Sequence, residues 1–190
     1  MNKTALAATL LLYSCVTNYI PKQPSIVKLT NYKGQAFCTA TVISPKLAVT
    51  AEHCLGGAAF IQSTQDTSKT ATIQYSLGRA SMDLGVVVGN FSAFETMRLS
   101  ISPYDTEDVS FPKACGYPFA GELYCINFSP VGRHFFQKVG SAAVYPGMSG
   151  GPVINRWTGD VVGVISAADP NGNLVWSSTA ELRKMLGIKP

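Results

Sequence analysis

Charge is scarce in this sequence. Lys and Arg together number 15 and Asp and Glu 11, which leaves a net charge of +4 on 190 residues. The basic residues are scattered, and no stretch joins clustered bases to aromatic residues as a nucleic-acid groove requires, so nucleic acid is excluded as a partner. No apolar run reaches the about 20 residues that a helix needs to cross a bilayer. No segment of roughly 20–50 residues repeats, which excludes a solenoid. Strong helical periodicity is scarce. No metal-ligand spacing occurs, so neither a metal nor another cofactor is expected. Histidine occurs only twice, at His53 and His134.

What the chain has in plenty is apolar residues, 46% of the total, with 17 Gly and 11 Pro. Such a chain can bury a core. Short β-rich stretches recur between turn signals, which points to an all-β barrel or sandwich. Strands are expected over 25–30, 34–43, 47–50, 58–62, 71–77 and 84–88, enough to close a small barrel. A second set is expected over 115–117, 123–128, 135–139, 152–154, 161–166 and 174–178. Between them, 90–111 reads as a crossover carrying Pro103 and the acids Asp105, Glu107 and Asp108. The end of the chain, 179–188, has an apolar stripe of Leu182, Met185 and Leu186. It predicts a short helix with Thr179 as N-cap and Gly187 as its stop.

The amino terminus reads as a targeting segment. One positive charge, Lys3, precedes an apolar run over 5–13 that has the size of a signal-peptide core. The run ends Leu12-Tyr13-Ser14-Cys15. This resembles a bacterial lipobox, in which a small residue precedes a cysteine that is acylated after cleavage, although Tyr13 is bulkier than is usual there. Ordinary cleavage by the general signal peptidase is the competing reading. On the first reading, 1–14 is a signal peptide and 15–24 a tether in which Pro21 and Pro24 oppose a helix. The five cysteines agree with a secreted or periplasmic chain, because secreted proteins pair their cysteines. Cys38, Cys54, Cys115 and Cys125 lie in the body, and Cys15 is left over for a lipid anchor, the one expected link to a membrane.

The most informative string is Gly147-Met148-Ser149-Gly150-Gly151-Pro152. A nucleophilic serine needs exposure, a fixed approach angle and donors for an oxyanion. Glycines let the backbone turn tightly and leave N–H groups open, so the Gly147 and Ser149 N–H groups are the candidate oxyanion hole. A Ser/Gly-rich turn between strands is the plain structural alternative. The second string is Thr50-Ala51-Glu52-His53-Cys54, with Cys38 sixteen positions before Cys54. His134, in Gly132-Arg133-His134-Phe135, has no comparable context and reads as a surface or loop residue.

These strings resemble the chymotrypsin-like serine protease family, in its compact bacterial and viral form. That family has Thr-Ala-x-His-Cys after a strand, with a disulfide to a cysteine sixteen residues earlier. Its acid lies at an Asp-Leu-Ala-Val-like strand entry between the His and the Ser, which Asp83-Leu84-Gly85-Val86 fits. Asp66, in a polar loop, is the rival. Glu52 adjoins His53 in sequence, which does not place its carboxylate on the ring. The order His, Asp, Ser also differs from that of α/β-hydrolases and subtilisins.

The resemblance implies two six-stranded antiparallel β-barrels with the active site in the cleft and a short C-terminal helix. The first barrel would take 25–98 and carry His53 and Asp83; the second would take 99–190 and carry Ser149. It implies a Cys38–Cys54 bridge, a loop closure worth about 3 kcal/mol in the chain-entropy model. Cys115 and Cys125 flank a turn and would join adjacent strands. It places Ala143 and Val144 at the primary pocket and makes Ser166-Ala167-Ala168, preceded by Ile165, the strand that aligns the substrate by strand addition. No acid stands at the pocket base, so a small or medium apolar residue before the scissile bond is expected, not Arg or Lys. Zymogen-activated members have an aspartate before the nucleophile that pairs with a newly cut amino terminus; here Met148 stands there, so activity without that switch is expected. The expected partner is a protein or peptide substrate, and the chain reads as a monomer. Two other readings keep the fold: a protease-like binding protein without activity, and an esterase that uses the same triad.

Overall fold

The computed structural model describes residues 24–100, 112–130, 136–138 and 143–188. Cys15, the signal and tether segments before residue 24, and His134 lie outside the described residues. Six strands make the first barrel: β1 (Ile26–Thr30), β2 (Ala36–Ser44), β3 (Leu47–Thr50), β4 (Phe60–Gln62), β5 (Thr70–Arg79) and β6 (Leu84–Gly89). They close in the order β1-β2-β3-β6-β5-β4. The second barrel has β7 (Lys113–Gly116), β8 (Tyr124–Pro130), β9 (Phe136–Lys138), β10 (Pro152–Ile154), β11 (Val161–Ala168) and β12 (Leu174–Ser178). It closes as β10-β11-β12-β9-β8-β7, and all pairings within both barrels are antiparallel. A helix, α1 (Thr179–Leu186), ends the fold.

The apolar run of β6 explains how the barrels meet. Every residue of β6 is buried. Val87 packs inside the first barrel with Val27, Leu29, Ala40 and Ile61. Leu84, Val86 and Val88 point the other way, onto Val164 of β11 and Leu182 of α1. A strand covered on both faces reads as a continuous apolar run, not as an alternation. A second seam joins Ile26 of β1 to Cys115, Tyr117 and Ile154. The Tyr117 hydroxyl crosses it to donate to Ile26 O at 2.7 Å.

The connection leaves β6 through buried Phe91 and Phe94 and then zips onto the second barrel. Val161 N–H donates to Arg98 O at 2.9 Å, and Ser100 N–H to Val161 O at 2.8 Å. The buried Arg183 guanidinium of α1 donates to Ser100 O and ties the helix to this segment. The rest of the crossover, 101–111, lies outside the described residues.

One boundary differs from the sequence expectation. Ser178, not Thr179, is the N-cap of α1: its backbone is extended and its hydroxyl accepts the Glu181 N–H at 3.4 Å. Thr179 is the first helical residue and is buried. Both residues are good caps, and the burial of Thr179 decides between them. Gly187, at φ 68°, ends the helix in the left-handed conformation.

Candidate active site

The pairing of β3 with β6 brings the histidine turn and Asp83 together. Thr50 at the end of β3 lies opposite Gly85 near the start of β6. The chain leaves β3 into a tight turn, Glu52–Cys54, while Asp83 enters β6 from another, Ala80–Met82. Asp83 sits in the left-handed region at φ 46°, which aspartate tolerates better than most residues. Its carboxylate accepts the His53 main-chain N–H at 3.0 Å and lies 2.9 Å from His53 Nδ1. The Ser166 hydroxyl donates to the same carboxylate. Burial pushes the Asp83 carboxyl up, but the hydrogen bonds from Ser166 and from the His53 N–H and ring together hold it below the ordinary carboxylate value. His53 itself is half exposed.

The histidine turn is tied from behind. Cys54 is fully buried and bridged to Cys38 on β2, with the two Cα atoms 6.1 Å apart. Cys54 Sγ also lies 3.8 Å from Ser149 O, which sets this turn against the Ser149 turn. Glu52 lies along β5, where a side chain at Gly78 would meet its Cγ at 2.6 Å. Asp66 is in an exposed turn, where it accepts the Ser68 N–H at 3.1 Å. Neither acid hydrogen-bonds the His53 ring.

The Ser149 turn needs its glycines. Gly147 has φ +94° and Gly150 φ +83°. A Cβ on Gly147 would lie 2.5 Å from Tyr117 O, and one on Gly150 only 2.2 Å from Thr39 O. Between them Met148 is fully buried among Ala114, Ile126, Val153 and Ile165 of the second barrel, while Ser149 is partly exposed. The amides of the turn divide into two kinds. Met148 N–H donates to Tyr145 O at 3.1 Å, Gly150 N–H to Ile165 O at 2.8 Å and Gly151 N–H to Met148 O at 3.0 Å. Among the described residues the Gly147 and Ser149 N–H groups have no acceptor, so both are open to an incoming oxygen. The Ser149 hydroxyl donates to Ser166 O at 3.2 Å.

Ser166 therefore touches both halves of the site, through its carbonyl to Ser149 and through its hydroxyl to Asp83. Beyond it, Ala167 and Ala168 are exposed. They pair with Val175 and Leu174 on one side, whereas β10 pairs with β11 only as far as Val164, so among the described residues no strand covers the other edge of 166–168. Ile165 is fully buried in the core of the second barrel, against which Val144 also packs. Alternation along β11 turns it inward, away from the edge. Val144 and Ala143 are partly exposed, and Val144 packs on the same core as Trp176 of β12. Trp176 carries no sequence motif that would place it beside Val144's core. Cys115 and Cys125 are directly opposed on β7 and β8 and bridged, with Cα atoms 4.1 Å apart. Cys38, His53 and Cys54 also form a group of metal-ligating residue types, with ligand atoms within 4.8 Å. Two of its three members are joined in the disulfide and offer no thiolate.

Residues 38–164 match a family model described as a trypsin-like peptidase domain. No curated protein sequence matches the chain. Solved structures share the fold at low identity. The active form of the Rv3671c protease from M. tuberculosis is 18% identical with a TM-score of 0.67, over 87% of this chain and 81% of that one. A serine endoprotease from Yersinia pestis is 19% identical with a TM-score of 0.68, over 87% of this chain and 62% of that one. Human heparin binding protein is 15% identical with a TM-score of 0.70, over 87% of this chain and 91% of that one. Such identities carry the fold alone. The family match spans more than half of the sequence and includes the histidine turn, the Asp83 turn and the serine turn, and the chain belongs to the trypsin-like peptidase domain family.

Proposed function

We propose that the chain is a serine endopeptidase with Ser149 as nucleophile, His53 as general base and Asp83 as the carboxylate that orients it. One observation carries the reading. Ser166 joins Ser149 and Asp83 through its carbonyl and its hydroxyl, and Asp83 holds His53, so the three residues share one continuous network.

The steps follow from that arrangement. With Nδ1–H committed to Asp83, His53 Nε2 is the basic nitrogen. The Ser149 hydroxyl turns from Ser166 O to Nε2, loses its proton there and attacks the carbonyl carbon of the scissile peptide bond. The oxyanion that forms is received by the Gly147 and Ser149 N–H groups. His53 then returns the proton to the leaving amine as the C–N bond breaks. Water enters, gives a proton to His53 and hydrolyses the acyl-enzyme, and the proton goes back to Ser149 Oγ. Asp83 keeps its negative charge beside the imidazolium throughout.

The open edge of 166–168 accepts the acyl half of the substrate as an added strand. Ala143 and Val144 supply an apolar primary pocket over the core that Trp176 also covers, so cleavage after small or medium apolar residues is proposed. The two disulfides fit an oxidising, extracytoplasmic setting. Among the described residues no helix is long and apolar enough to cross a membrane. Secretion through the amino-terminal segment, with acylation of Cys15, completes the proposal.

Labelling with a fluorophosphonate probe tests it. Wild-type protein is expected to be labelled and Ser149→Ala is not, with the modified peptide containing Ser149. Folded wild-type protein that takes no label would leave a binding protein on a peptidase fold. Casein against short-chain esters separates peptidase from esterase. A peptide library cut mainly after Arg, Lys or Glu would overturn the apolar preference. Mass spectrometry of the mature amino terminus tests acylation of Cys15.

A further inference from the structure

The nucleophile turn is held by a side chain from the other barrel that no recognised motif contains. Cys38, Ala40 and Val42 of β2 pack inside the first barrel. Alternation along the strand therefore turns Thr39 toward the second barrel, where it is fully buried. Its N–H donates to Ser149 O at 2.9 Å. Its hydroxyl donates to Gly147 O at 2.7 Å and accepts the Tyr117 N–H at 3.0 Å. An amide N–H can only donate, so the hydroxyl proton is committed to Gly147 O. Thr50 steadies this residue in turn by donating from its hydroxyl to Thr39 O at 2.8 Å.

These contacts hold the peptide units that flank the open Ser149 amide. A peptide unit is planar, so holding a carbonyl also holds the N–H on its far side. Gly147, like Gly150 without a Cβ, is free to rotate. The Thr39 hydroxyl fixes its carbonyl, and the Thr39 N–H fixes that of Ser149. These two anchors hold the peptide units on either side of the Met148–Ser149 one, whose own carbonyl accepts the Gly151 N–H at 3.0 Å and whose N–H is the open Ser149 amide. The Gly147 N–H is set by the Phe119 N–H, which donates to Pro146 O at 2.7 Å. Met148 fills the core below and contributes no charge to the turn.

We propose that Thr39 is a positioning residue for the oxyanion donors. Its hydroxyl and the buried Met148 keep the turn formed without an acid before the nucleophile or a cut amino terminus. The role rests on the reading of Ser149 as nucleophile.

The test compares Thr39→Val, which keeps the shape and loses the hydroxyl, with Thr39→Ser, which keeps the hydroxyl. On a peptide substrate, Thr39→Val is expected to lower kcat roughly ten- to a hundredfold at nearly constant KM. A peptide boronate, which mimics the tetrahedral intermediate, should weaken by a similar factor. Thr39→Ser should recover kcat to within about threefold of wild type. A purely structural role would lower the melting temperature without this kcat-against-KM split. Folded Thr39→Val with kcat within about twofold of wild type would overturn the proposal. If Thr39→Val is not recovered folded, Thr39→Ala replaces it, and equal losses in Thr39→Ala and Thr39→Ser would overturn the role of the hydroxyl. Wild-type protein that neither cleaves peptide nor takes fluorophosphonate overturns the nucleophile reading and this role with it. Active wild type matched by Thr39→Val overturns this role alone.

Discussion

The main-chain N–H and the ring Nδ1 of His53 both meet the carboxylate of Asp83, at 3.0 and 2.9 Å. One acid thus fixes the backbone of the histidine turn and the tautomer of its ring. Asp83→Asn keeps the size of the group but can present an N–H to Nδ1, which favours the wrong tautomer. The expected result is a fall in kcat of about 10⁴-fold with a small change in KM. Steady-state kinetics on one peptide substrate measures it, and a loss under about tenfold would remove Asp83 from this role.

The same carboxylate predicts a pH dependence of stability. Burial raises the Asp83 carboxyl, and the hydrogen bonds from Ser166 and His53 lower it by more, so its folded value lies below the ordinary one. A depressed carboxyl contributes stability above its unfolded value and loses that contribution as pH falls through the folded value. Wild type should therefore lose stability more steeply than Asp83→Asn below about pH 4. Asp66 and Asp169 are also held low, by Ser68 and Asn173 respectively, but they are present in both proteins and cancel in the comparison. Urea midpoints between pH 2 and pH 6, read as about four points, test it. Parallel curves would contradict the assignment.

Met148 predicts what happens when a charge is forced into its place. The side chain is fully buried among apolar residues of the second barrel. Met148→Asp should cost about 3–5 kcal/mol, the scale of an uncompensated buried charge. Met148→Leu, of similar volume, should cost less than about 1.5 kcal/mol. Chemical denaturation distinguishes them. Wild-type activity should also be the same whether or not the chain is cut near Ser25, and activity that appears only after such a cut would refute the absence of a switch.

The parts that were legible in the sequence are those where chemistry restricts the residue locally. Glycines at 147 and 150 are required by positive φ and by the backbone packed against them, so the serine string stands out. The Cys54 bridge and the tight turn do the same for His53. The run of β6 was readable because both its faces are covered. Thr39 was not readable. It is one of two Thr in β2, and the carbonyl its hydroxyl meets lies 108 residues away. The burial of Ile165 was not readable either, because proximity in sequence to an exposed edge does not show which way a side chain points. Nor does the sequence show that Trp176 and Val144 pack on one core, which follows only once β12 folds beside β11.

Thr41, two residues beyond Thr39 on β2, turns this contrast into a measurement. Both side chains are fully buried. They share a face of the strand, opposite Ala40 and Val42. Yet Thr39 Oγ1 has two hydrogen bonds, whereas Thr41 Oγ1 has no partner among the described residues. Val replaces Thr at nearly constant shape and exchanges a hydroxyl for a methyl. At Thr41 the change removes an unsatisfied polar group, and stability should rise by up to about 1 kcal/mol. At Thr39 it strands Gly147 O and the Tyr117 N–H, and stability should fall by about 1–3 kcal/mol. The two single variants should thus shift the urea midpoint in opposite directions. Equal losses at both positions would mean that packing at the seam, and not hydrogen bonding, decides which residues β2 can carry there.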